Sequence, residues 1–185
     1  MERVDQFQRY RRALTRDEFV RQFPHPFLLR ELEADERAPS TFNTVYDAKS
    51  VMEEAARLRD KTGFAVRIRL EPGRYGVYPL AKSGANPWRD RITVGRATNN
   101  DVVLRPGSVS KLHAYFQHDP KQAAGPGKGW LLYDCKSANG TRLEYGGQQK
   151  TLASGTPVDV PTGAILHFGA VVCEIIDPGV LYDAL

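Results

Sequence analysis

Three short runs hold the side chains best suited to chemistry: Gly95-Arg96, Ser110-Lys111-Leu112-His113, and the stretch from Asp134 to Thr141. Arg96 offers a planar fork of donors that matches a tetrahedral oxyanion. The Ser110 hydroxyl can donate to a phosphate oxygen, and Lys111 adds positive charge. Asn139 donates and accepts at once, which suits gripping the main chain of an extended peptide. Gly140 allows the positive φ that a tight Asn-Gly turn demands. These are parts for holding a phosphorylated peptide on loops, not for breaking a bond.

Two enzymatic arrangements fail on spacing. Ser110, His113 and Asp134 have the residue types of a hydrolase triad, but no Gly-x-Ser-x-Gly elbow is present. Gly125-Pro126-Gly127-Lys128-Gly129 lacks the spacing of a nucleotide-binding loop and opens no helix. His25, His118 and His167 show no ligand spacing with one another, so no metal site is expected. No catalytic residue and no cofactor is assigned.

The elements that must position these runs change character near residue 63. Before it, Leu14, Phe19, Phe23 and Phe27 fall among dense charges. Thr15 is placed to cap a helix from about Arg16 to Arg21, with Glu18 as its capping-box partner. Pro24 and Pro26 then end it. A second helix is expected from Thr44 or Val45 to Lys61, with Gly63 at its C-terminus. Ala38-Pro39-Ser40-Thr41 reads as a linker. The cluster Arg9-Tyr10-Arg11-Arg12 reads as a solvated helix face.

Beyond residue 63 apolar and polar residues alternate, starting with Phe64–Leu70, and Pro72-Gly73 makes a turn. Further strands are expected at 76–82, 91–94, 102–104, 113–118, 130–134, 141–143, 157–160, 165–168 and 171–176. Many short strands with no helix between them imply a β-sandwich or barrel. The stretch 120–129 reads as a hairpin loop.

Gly95-Arg96, Ser110-x-x-His113 and Ser137-x-Asn139-Gly140-Thr141, each at a strand boundary and in this order, resemble the signature of the forkhead-associated (FHA) domain. The resemblance covers about residues 76–177. It implies a mainly β fold: an antiparallel sandwich of about eleven strands that binds phosphothreonine through loops at one end. By resemblance Arg96, Ser110 and Lys111 meet the phosphate and Asn139 holds the peptide main chain. Gly95, His113, Ser137, Ala138, Gly140 and Thr141 support the loops. Family members often carry a threonine where this chain has Ala138, which removes one hydrogen bond to the ligand.

The resemblance divides the chain into four parts. Residues 1–62 are a partly helical N-terminal extension, 63–75 a connecting strand and turn, 76–177 the sandwich, and 178–185 a tail. The implied function is an adaptor that binds a phosphothreonine-containing protein downstream of a serine/threonine kinase. A structural module indifferent to phosphate is the competing reading, and Ala138 is its support. Thr41 and Thr44, beside the linker, are candidate sites for phosphorylation and self-recognition.

Composition sets the remaining expectations. The formal net charge of +4 is shared evenly by the two halves, so charge alone does not call for nucleic acid. No apolar run approaches the ~18 residues of a membrane span, and the polar start lacks a secretory core. A cytoplasmic protein with no membrane insertion is expected. Cys135 and Cys173 are then reduced structural thiols.

Overall fold

The computed structural model describes residues 2–33, 36, 69–119 and 129–185. The helix expected near 44–61, the 38–41 linker with Thr41 and Thr44, most of the 64–70 strand and nearly all of the 120–129 loop lie outside these residues. Arg69 and Leu70 are described, and neither belongs to a strand.

In chain order the elements are β1 (Glu2–Arg3), α1 (Val4–Ala13), α2 (Arg16–Gln22), β2 (Phe27–Glu31), β3 (Tyr75–Pro79) and β4 (Ile92–Gly95). Next come β5 (Val102–Val103), β6 (Ala114–His118), β7 (Trp130–Asp134), β8 (Thr141–Tyr145) and β9 (Gln148–Thr151). The chain ends with β10 (Val158–Asp159), β11 (Ile165–Phe168), β12 (Val171–Ile176) and α3 (Pro178–Ala184).

The strands form two sheets. One is seven-stranded in the order β1-β3-β2-β12-β11-β8-β9, the other five-stranded in the order β10-β7-β6-β4-β5. Neighbours are antiparallel except β4 and β5, which run parallel with Val94 beside Val102. This is the mainly β sandwich expected from the sequence, with helices near both ends of the chain.

Alternation explains the packing. In β6 and β7 the inward residues Ala114, Phe116, Trp130 and Leu132 are buried, while Tyr115, Gln117, Leu131 and Tyr133 between them are only partly covered. Phe116 pairs in register with Leu132. Leu28, Tyr78, Val94, Leu166, Phe168 and Ile175 complete the inner core. Cys173 lies in it too, and burial pushes its thiol up to about 12. Both cysteines are free.

A second core lies on the outer face of the larger sheet. Phe27, Leu29, Tyr75, Val77 and Ile176 pack there with Val4, Phe7, Phe19, Leu181 and Leu185. The ring of Phe7 meets those of Tyr10, Phe19, Phe23 and Phe27 at centroid separations of 5.3–6.4 Å. Helix α2 starts as expected: Thr15 Oγ1 accepts from the Glu18 N–H while Glu18 accepts from the Thr15 N–H, a complete capping box. Helix α3 is tied to α2 by Arg16 and Asp183 at 3.2 Å and to the α1–α2 connection by the Tyr182 hydroxyl donating to Leu14 O at 3.1 Å.

Two segments take elements that were not expected of them. Phe27–Glu31, expected within a helical extension, is a strand hydrogen-bonded between β3 and β12. Within 178–185, expected as a tail, Pro178–Ala184 forms a helix on the second core. The apolar run Phe27-Leu28-Leu29 hid its strand because both faces are covered, so no alternation shows. Strand β9 went unseen for the opposite reason. Its Gln148-Gln149-Lys150-Thr151 is exposed throughout, so no buried face marks it, and it pairs antiparallel with β8 across the Gly146-Gly147 turn.

The helical layer is therefore part of the folded unit. Phe7→Ala should lower the unfolding free energy of the whole chain by about 3–5 kcal/mol, with one cooperative transition in urea. Unchanged stability would make the helices an independent appendage.

Candidate functional site

The site begins where β4 ends. A side chain at Gly95 would place its Cβ 2.3 Å from the Lys111 carbonyl oxygen and 2.8 Å from Asn100 Nδ2, so only glycine fits. That approach lets the β4–β5 and β5–β6 loops bond directly. The Arg96 N–H donates to Ser110 O at 3.0 Å, and the Ala97 N–H donates to Lys111 O at 3.2 Å. The buried Asn100 carboxamide stitches the same seam, donating to Ala97 O at 2.8 Å and Lys111 O at 2.7 Å.

His113 joins this pair of loops to a third. Its side chain is fully buried. Nδ1 accepts the Ser110 N–H at 3.0 Å, and Nε2 lies 3.1 Å from Gly140 O. A ring nitrogen that accepts an N–H carries no proton, so the proton sits on Nε2 and is donated to Gly140 O. Burial favours this neutral form and lowers the pKa, against the bond to Gly140 and the Asp134 charge, which raise it. Both ring nitrogens are thus committed, and neither serves the Ser110 hydroxyl as a base. Ser110 Oγ instead accepts the Ala138 N–H at 3.0 Å, which leaves its own hydrogen to point elsewhere.

The β7–β8 turn is held from within. Asp134 accepts from Ser137 N at 3.0 Å, from Ser137 Oγ at 2.5 Å and from Thr141 Oγ1 at 2.6 Å. Burial alone would raise this carboxyl, but these donors outweigh it and hold the pKa below the usual range. Lys136 takes the left-handed conformation, and Gly140 has a φ of +73°. The Asn139 carboxamide donates to Ser108 O at 2.8 Å, linking this turn to the β5–β6 loop.

One cleft of about 360 Å³ results, lined by Arg96, Gly107, Ser108, Val109, Ser110, Lys111, Leu112, Ala138 and Asn139. Arg96, Ser110, Lys111 and Asn139, chosen from the sequence for their chemistry, all line it. Gly95, His113, Ser137, Gly140 and Thr141 lie behind it, in the seams just described, and Ala138 is on its wall. Arg96 and Lys111 are exposed, and neither makes an ion pair with a described residue. Among the described residues, no acidic side chain lines the cleft.

A family model described as FHA domain matches residues 92–169. That stretch is similar to the FHA domain. Among solved structures, one from a study of phosphothreonine-dependent FHA domain interactions is 20% identical, with a TM-score of 0.39, covering 56% of this chain and 84% of the other. The FHA domain of the CT664 protein from Chlamydia trachomatis is 16% identical, with a TM-score of 0.43, covering 82% and 97%. Mycobacterium tuberculosis EmbR in complex with a low affinity phosphopeptide is 17% identical, with a TM-score of 0.39, covering 70% of this chain and 30% of that one. Comparison with curated proteins returned no match.

The cleft also rests on residues that sequence reasoning passed over. Asn100 is one, although the run Asn99-Asn100-Asp101 marks a turn. Asp101 beside it is a hub, its carboxylate accepting from Lys82, Ser83, Asn86 and Thr93. Burial raises its pKa, but these bonds together bring it far below the ordinary value. Gly169, in the turn between β11 and β12, is the third. Its φ is +64°, and a Cβ there would stand 2.4 Å from Ser108 O and 3.3 Å from Asn139 Cβ. A glycine between two strands was the only available signal.

Two measurements probe this scaffold. Gly169→Ala should cost at least about 2 kcal/mol, strain plus collision, against about 1 for Gly163→Ala. Gly163 shares the left-handed φ, +83°, but has open space at its Cβ; equal losses would deny that the Ser108 contact matters. The second concerns His113, whose folded pKa lies below its ordinary 6.5. Its contribution to stability is complete above that value and is lost as pH falls through the lower, folded one. Unfolding free energy should therefore fall between about pH 7 and pH 5, and fall less in His113→Asn. His25, also lowered by burial, supplies the remainder; an identical slope in the variant would exclude a buried neutral His113.

Proposed function

We propose that this FHA-like domain is a phosphothreonine-dependent adaptor that recruits a protein phosphorylated by a serine/threonine kinase. Arg96 and Lys111 supply charge to the phosphate, and Ser110 donates its uncommitted hydroxyl hydrogen. Asn139 holds the peptide main chain with the carboxamide oxygen and the N–H that Ser108 leaves free. Gly95, His113, Ser137, Gly140 and Thr141 keep the three loops in register. The reading rests on one observation: a guanidinium, an ammonium, a hydroxyl and a carboxamide from three separate connections line one cleft, with no opposing carboxylate among the described residues.

The proposed role is binding in the cytoplasm, without catalysis, cofactor, nucleic acid or membrane insertion. Both nitrogens of His113 are bonded into the scaffold, which supports a non-catalytic role.

A second reading, a module indifferent to phosphate, draws on two observations. Ala138 brings no hydroxyl to the cleft, and one Asn139 N–H is spent on Ser108 O. Titration of a degenerate phosphothreonine peptide library into the wild-type chain and Arg96→Ala separates the two. A hydrogen bond to a charged group contributes about 1.5–3 kcal/mol, so Arg96→Ala should weaken binding at least about tenfold. The unphosphorylated library should not bind. Equal binding to both libraries, unchanged in the variant, would favour the second reading.

A further inference from the structure

The positive charge at the cleft extends beyond the two cations that line it. Arg105 follows β5 on the loop that carries Ser108 and Ser110, and Lys136 begins the turn that carries Asn139. Both are exposed, and neither makes an ion pair with a described residue. The β2–β3 connection leaves the larger sheet at this end too, beyond β12, with exposed Glu33 and Glu71. The connections around the cleft are 96–101, 104–113, 135–140, 152–157 and 169–170. Their one acid is Asp101, and its side chain is fully buried against Lys82 at 2.7 Å. Asp134, at the end of β7, is 5% exposed and bonded to Ser137 and Thr141. The rim therefore presents Arg96, Arg105, Lys111 and Lys136 with no exposed carboxylate among them.

A phosphate dianion uses the cations that touch it. Arg105 and Lys136, on separate loops outside the cleft lining, remain for something else. Unpaired charges act over about one Debye length, ~8 Å at physiological salt. An extended peptide advances ~3.3 Å per residue, so that distance spans about two to three residues on each side of the phosphorylated one.

Resting on the phosphothreonine reading, we propose that the rim selects an acidic partner segment. The phosphothreonine is flanked, within about two to three residues, by aspartate or glutamate that pairs with Arg105 and Lys136. Ligand and site then match in charge along the bound segment, and basic flanks are rejected by like-charge contact. The implied kinase is one that modifies threonine in an acidic context.

The test uses the full chain and phosphothreonine peptides with neutral, acidic or basic flanks, followed by fluorescence anisotropy. Exposed ion pairs contribute modestly, so acidic flanks should tighten binding about five- to tenfold over neutral ones. That advantage should collapse at about 1 M salt, where screening shortens the reach of charge to ~3 Å. In the double variant Arg105→Gln/Lys136→Asn the advantage should vanish while the neutral-flank peptide keeps its affinity within about twofold. Asn suits position 136 because it tolerates the left-handed backbone there.

Neutral and acidic peptides that bind equally, or an advantage that survives the double variant, would overturn this inference and leave the phosphothreonine reading standing. No binding by any of the three peptides would sink both. A single-stranded oligonucleotide that displaces the acidic peptide and binds more tightly would reassign the rim to nucleic acid.

Discussion

A single imidazole holds the cleft end of this sandwich together. His113 accepts the Ser110 N–H on one nitrogen and donates to Gly140 O from the other. It therefore spans the gap between two loops that no regular strand ladder joins. Its backbone belongs to the scaffold as well, with its N–H on Val94 O and its carbonyl receiving the Cys135 N–H. A neutral histidine is the one side chain that can accept at one ring atom and donate at the other while carrying no charge into the interior. Replace it with a residue that only donates or only accepts, and one buried backbone group loses its partner. The positions of Ser110 and Asn139 on either side of the cleft depend on that bridge.

Around this bridge the molecule divides its polar groups by purpose. Carboxylates that shape the loops are buried and saturated: Asp134 by Ser137 and Thr141, Asp101 by Lys82, Ser83, Asn86 and Thr93. Cations that face outward at the same end make no ion pair with a described residue. Internal donors hold these carboxylates inside the loops, so neither of them pairs with the cations at the rim. Glycines set the spacing of this arrangement. Gly95 and Gly169 each stand where a single methyl would collide with a loop carbonyl, so the loops close to hydrogen-bonding distance only because those positions have no side chain.

The far side of the larger sheet shows why the sandwich is embedded in a longer folded unit. Strands β2 and β3 are buried on both faces, with Leu28 and Tyr78 turned into the sandwich and Phe27, Leu29, Tyr75 and Val77 turned under the helices. An apolar outer face of that size needs cover. Helices α1, α2 and α3 supply it, from the beginning and the end of the chain, and Leu70 completes it through its N–H bond to Ala184 O.

Several features were legible from residue types and spacing. Local rules act within a few residues of chain, so the Thr15/Glu18 cap, the Asn139-Gly140 turn and the alternation of β6 and β7 could be read directly. The three signature runs could be named because each sits at a strand boundary and keeps a fixed order. Tertiary structure alone decided what depends on distant neighbours. Phe27-Leu28-Leu29 is a strand because helices cover its second face, and Gln148–Thr151 is one because β8 lies beside it. Which nitrogen of His113 carries the proton, and why Gly169 must lack a side chain, follow from Ser110, Gly140 and Ser108. Those partners lie between three and about sixty residues away along the chain, and only folding brings them within hydrogen-bonding or van der Waals reach.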